Sequence, residues 1–249
     1  MDFAKTAKKN PKLNELYQEI NAWKVIVPEK SLDNDSAWGS YINDNNNAVI
    51  SYAKTENKEC ALAHELLHFS IQKSGYIRMK SSATTLQSVL MKRLVDCLDN
   101  ELQHHRMYAQ YRSLGYTPKS FYNDADCLVA QYLTDVLDGN KMEPLELIPD
   151  YMTLIAPGGS LTMKEKQKFS AMFRTSTSAP EVFDTIDGAI KKWTEAASLD
   201  QKSVVSSIIS SIPGEHSTWI GFDNGTGFPD SGFFVGKPLT KEEFASHMG

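Results

Sequence analysis

Residues 59–71, Glu59-Cys60-Ala61-Leu62-Ala63-His64-Glu65-Leu66-Leu67-His68-Phe69-Ser70-Ile71, are rich in helix formers and contain neither glycine nor proline. At helical spacing Cys60, His64, Leu67, His68 and Ile71 share one face, while Leu62, Leu66 and Phe69 line another. A helix apolar on two sides has no face to give to water, so the remainder of the chain has to be built around it. Thr55 or Asn57 suits its N-cap, and Gly75 suits the left-handed position after its last turn. Two imidazoles inside such a helix need partners, because an unsatisfied buried polar group costs roughly 1–3 kcal/mol.

The spacing of those imidazoles names a partner. His64 and His68 lie four positions apart and project from one face, which allows both to bind a single Zn²⁺ ion. Glu65 leaves the helix beside them, where its carboxylate can take a proton from a water on the metal. The competing reading, a core helix whose histidines bond to backbone carbonyls, leaves Glu65 between them without a reason.

Composition narrows the class. With 249 residues, 41% of them hydrophobic, the chain can bury a substantial core. A net charge of −5 argues against a broad nucleic-acid surface. There is no run of eighteen apolar residues for a membrane span, and Met1-Asp2-Phe3-Ala4-Lys5 lacks the apolar stretch of a secretory signal. Cys60, Cys97 and Cys127 are odd in number and sit in apolar helical contexts, so reduced thiols and a cytoplasmic location are expected.

Along the chain, Asn10 and Pro11 open a helix with Leu13, Leu16, Tyr17, Ile20 and Trp23 on one stripe. Val25-Ile26-Val27 reads as a strand ended by Pro28, and 33–36 as a polar loop. Trp38–Ile42 and Ala48–Ala53 read as two strands joined by Asn43-Asp44-Asn45-Asn46-Asn47. Residues 84–113 predict a long helix, and Glu101 occupies a position on its stripe where the pattern calls for an apolar residue. A further helix is expected over 124–137, a connector over 144–159, and amphipathic helices from Thr162, Pro180 and Leu199. The tail over 214–236 reads as loops or short strands. The expected fold class is α+β, predominantly helical, with a small antiparallel sheet beside the His64 helix. The expected division is a catalytic domain over 1–155 and a helical subdomain over 156–249.

A catalytic zinc usually keeps three protein ligands. Glu101 is the best third candidate, since an ionised carboxylate facing a core is costly unless it is coordinated or paired. Pairing to Arg106 or Arg112 is the alternative, and Asp96, Asp124, Asp126 and His104 are lesser ligand candidates. His64-Glu65-Leu66-Leu67-His68 followed by Asn100-Glu101 resembles the gluzincin, thermolysin-like metallopeptidases. The resemblance implies a zincin-like core, one Zn²⁺ held by His64, His68 and Glu101, and Glu65 as general base. His105 stands where that group often has an aspartate. Ala48–Ala53 leading into Ala61–His68 also resembles the ImmA/IrrE-type bacterial metallopeptidases, with Leu67 in place of their usual glycine. Together the resemblances cover roughly residues 38–108.

The expected activity is therefore hydrolysis of a peptide or protein substrate by a metal-activated water, with no nucleic-acid or membrane partner. Ala48–Ala53 is the strand expected to hold an extended substrate. His104, His105, Tyr108 and His216 are the candidate donors to the developing oxyanion. A regulatory or binding protein of the same fold, with a structural or sensory metal and little proteolysis, is the second reading.

Overall fold

A computed structural model describes residues 1–31, 38–55, 57–122, 125–136, 141–222 and 227–248. The expected polar loop over 33–36 lies outside them, as does Asp124. The chain divides into two compact units, the first comprising 1–76, 106–123 and 157–159 and the second 77–105, 124–156 and 160–249.

The first unit begins with α1 (Phe3–Ala7) and α2 (Pro11–Trp23). Asn10 caps α2 as its spacing predicts: its side-chain oxygen accepts from the amides of Lys12 and Leu13 at 3.0 and 3.3 Å, and Pro11 stands at the first helical position. β1 (Ile26–Lys30), β2 (Gly39–Ile42) and β3 (Ala48–Tyr52) follow. The β2–β3 hairpin turns through Asn46 in the left-handed region, at φ 62°, which asparagine tolerates better than most residues.

Two expectations about this sheet need correction. It is mixed rather than antiparallel, because β1 pairs with β3 in parallel, Ile26 opposite Ala48. Its order is β1-β3-β2, so β3 is central and flanked on both sides, and cannot be the open strand expected to hold a substrate. β1 also continues through Pro28 to Lys30, since a strand paired on one side tolerates a residue without an amide proton.

α3 (Lys58–Lys73) leaves the sheet almost at once and is buried through its middle, with Leu62, Ala63, Leu66, Leu67 and Phe69 excluded from solvent. They pack with Leu13 and Ile20 of α2, Ile50 of β3, Met107 and Tyr111 at the end of α4 (Ser88–Ser113), and Phe121 of α5 (Pro118–Tyr122). Each large side chain buried in this way contributes about 1.5–3 kcal/mol.

The second unit contains the first part of α4 and an antiparallel sheet of β4 (Met79–Thr84), β5 (Ser217–Phe222) and β6 (Gly232–Gly236). Thr84 and Thr218 share a buried hydroxyl–hydroxyl hydrogen bond of 2.9 Å across it. Gly221 is required there, because a Cβ would run into the Trp219 ring and the Ser81 hydroxyl. α6 (Ala125–Val136), α7 (Pro144–Ile155), α8 (Met163–Thr175), α9 (Glu181–Glu195), α10 (Lys202–Ser210) and α11 (Lys241–Met248) complete this unit. The expected capping box of α8 is present, with the Thr162 amide donating to Glu165 at 2.8 Å and the Glu165 amide to Thr162 at 3.3 Å.

The expected connector over 144–159 is instead largely α7. Pro149 lies inside it, yet Leu147, Ile148, Tyr151, Met152 and Leu154 are fully buried, and that burial outweighs the lost hydrogen bond. Among the described residues no helix is long and apolar enough to cross a membrane. Among the described residues Cys60, Cys97 and Cys127 form no disulfide.

The packing around α3 generates a stability prediction. Leu66→Ala, at a position with no solvent exposure, should cost about 2–5 kcal/mol in equilibrium urea unfolding; a loss under 1 kcal/mol would show that this helix is not tightly packed.

Candidate metal centre

The run without glycine or proline allows α3 to continue uninterrupted through Lys73, and Gly75, at φ 108°, takes the left-handed position after it. Asn57 is the N-cap, although its side chain makes no capping hydrogen bond. Within the helix Glu65 and His68 are 5% and 6% exposed, and His64 is half-buried. The Nε2 atoms of His64 and His68 lie 3.2 Å apart, with ring centroids 5.0 Å apart. The His64 ring packs on Phe121 at 4.9 Å, and Tyr108 meets the same Phe121 ring edge-on at 5.1 Å.

α4 carries the remaining polar groups. Its middle is buried nearly all round: Asp99, Glu101, Gln103 and His104 are each at most 4% exposed. Every one has a visible reason to be there. Asp99 accepts from the Met79 amide at 2.8 Å, from Arg78 Nε at 2.9 Å and from Gln103 Nε2 at 3.1 Å. Glu101 accepts from Asn100 Nδ2 at 3.2 Å, and its Oε2 is 3.0 Å from His104 Nδ1. With Glu101 ionised its oxygens can only accept, so the shared proton belongs on His104 Nδ1, and Nε2 keeps the lone pair.

His64, His68 and His104 bring one ligand atom each within 4.8 Å of one another, close enough to hold a metal ion. The donor chemistry suits a metal ion: ligand nitrogens about 2.0–2.1 Å from a tetrahedral ion stand about 3.4 Å apart, close to the 3.2 Å between His64 and His68. The carboxylate behind His104 matches the partner that usually fixes the ring of a metal-bound histidine.

The structure therefore brings together His64 and His68 and adds His104, which sequence reasoning weighed only as a lesser ligand. Glu101, expected as the third ligand, faces inward as its stripe position implied, but it lies against His104 rather than in the group of three. A signal for His104 was present: it is one turn beyond Glu101 on the same helix face. The other candidates fall elsewhere. Asp96 is exposed, and Asp126 is fully buried with its carboxylate accepting from the amides of Cys127, Ser160 and Leu161. His216 is half-exposed beside Gly214.

His105 turns away from the three and lines a cavity with Ile190, Lys191 and Thr194 of α9. Its Nε2 is buried without a hydrogen-bond partner, and burial lowers its pKa to about 4. No protein-family model, curated protein or solved structure matches this chain.

His105 predicts a pH effect. Between pH 4 and 6.5 the unfolded imidazole binds a proton and the folded one does not, so stability should rise with pH across that window by roughly 2 kcal/mol. His105→Phe should flatten the change in unfolding free energy between pH 4.5 and 7. An unchanged slope would place the titrating group elsewhere.

Proposed function

We propose that this protein is a zinc-dependent metallopeptidase in which His64, His68 and His104 hold the ion, Glu101 holds His104, and Glu65 is the general base. The observation that carries the reading is the convergence of three histidine nitrogens beside a buried glutamate that adjoins one of them on the same helix. A structural zinc site usually closes with four protein ligands and has no use for such a glutamate. When bound, the ion would supply Lewis acidity, polarising a peptide carbonyl and acidifying a water.

The chain's own residues have distinct tasks in this reading. Glu65 takes the proton of the attacking water and delivers it to the leaving amine nitrogen, so one carboxylate serves both halves of the reaction. Its low exposure keeps competing water away from that proton. Glu101 keeps the proton of His104 on Nδ1 and so keeps Nε2 available. Phe121 fixes the plane of the His64 ring by direct packing.

Two sets of variants test this. Zinc content of the purified protein, measured after zinc is supplied, should approach one ion per chain and be lost in His68→Ala and His104→Ala. Glu101→Ala should retain zinc with about 10–100-fold weaker affinity. Retention in His104→Ala with complete loss in Glu101→Ala would return Glu101 to the ligand set, and no zinc in the unmodified protein would overturn the proposal. Glu65→Gln should keep its zinc and lose at least about 100-fold in the rate of peptide cleavage. Unchanged function in that variant would favour the regulatory reading.

A further inference from the structure

A second feature of the first unit is a cavity of about 620 Å³ at one end of the β1-β3-β2 sheet. Lys5, Lys9, Lys30, Lys54 and Lys58 all line it, in a chain whose net charge is −5. The topology explains how residues so far apart meet. β1 and β3 are parallel, with Lys30 opposite Tyr52, so both strands deliver their carboxyl ends to the same place. Lys54 follows β3, Lys58 is the first residue of α3, and Lys5 and Lys9 come from α1 and the turn after it.

The five side chains are solvent-exposed, and a cleft lined by one sign of charge focuses its field and raises the local concentration of anions. Among the described residues few negative groups oppose these lysines. Glu59 takes Lys9 at 3.0 Å, and the carboxylate of Asp2, the acidic residue in the lining, accepts from the Lys5 amide as the cap of α1. Among the described residues Lys5, Lys30, Lys54 and Lys58 have no ion-pair partner.

The geometry points to a binding site for a small ligand carrying two or more phosphate groups. The volume lies within the usual range for small-molecule sites, about 300–1,000 Å³. The cationic side chains of the lining are lysine without arginine, and lysine binds phosphate oxygens as a compact point charge. Tyr52 and Ala53 supply an apolar and aromatic surface for the body of such a ligand. A long nucleic acid is disfavoured, because the acidic remainder of the chain would repel a polymer extending past the cavity. The site is independent of the proposed zinc chemistry.

Calorimetric titration of the full chain with tripolyphosphate, inorganic phosphate, a single-stranded oligonucleotide and polyglutamate tests the assignment. Tripolyphosphate should bind at least about tenfold more tightly than inorganic phosphate, and its affinity should fall steeply as salt is raised to about 0.15 M. Replacing Lys30, Lys54 and Lys58 together by Gln should weaken tripolyphosphate by at least about tenfold. The same replacement at the exposed Lys191, Lys192 and Lys241, which changes net charge equally, should leave it within about twofold. Thermal unfolding checks that the triple variant is folded, and Lys54→Gln alone, expected to weaken binding measurably, serves if it is not. The proposal is overturned by absence of tripolyphosphate binding at low salt, by equal losses in the two triple variants, or by tighter binding of the oligonucleotide or polyglutamate.

Discussion

Everything in the first unit depends on the burial of the middle of α3. A helix largely enclosed there cannot leave its polar groups to water, so His64, Glu65 and His68 are held in fixed positions by their surroundings. Leu62, Leu66 and Phe69 anchor the helix against α2, β3 and the end of α4, while the His64 ring is held by Phe121. The same apolar contacts that stabilise the helix thus set the separation of the two imidazoles. Precision of this kind comes from close packing, which resists displacement of even a methylene.

The middle of α4 applies the same rule to a denser set of charges. Four polar residues within six positions are buried there, and each is compensated by a neighbour rather than by solvent. Asp99 joins α4 to β4, since it accepts from the backbone of Met79. Trp193 of α9 donates to the Leu102 carbonyl at 2.8 Å, which attaches a further helix to the same stretch. Removing one partner from such a network exposes the others to an uncompensated cost, so its members are structurally interdependent.

How much of this was legible in the sequence depended on the range of the interaction involved. α3, its histidine pair and the cap of α2 were legible because spacing, capping and propensity are all local. Glu101 was legible as an inward-facing charge because it broke a stripe, and His104 as a lesser ligand candidate, but the convergence of His104 with His64 and His68 was not, since tertiary packing sets it. β4 went unseen: Lys80-Ser81-Ser82 has little strand character, and its partner β5 is more than a hundred residues away. α7 was hidden by Pro149, because a local rule about proline is weaker than the burial of the residues around it. The parallel pairing of β1 with β3, which also gathers the lysines, required knowing the order of strands in space.

The arrangement of the first sheet has one more consequence. β3 is occupied on both sides, and the outer strand β1 carries Pro28, Glu29 and Lys30, a ring without a donor followed by two exposed charges. Such residues discourage a further strand from joining, a common protection against aggregation. β2, with the sequence Gly39-Ser40-Tyr41-Ile42, has no proline and no charge. The two margins of the sheet therefore differ in how strongly their own residues discourage pairing.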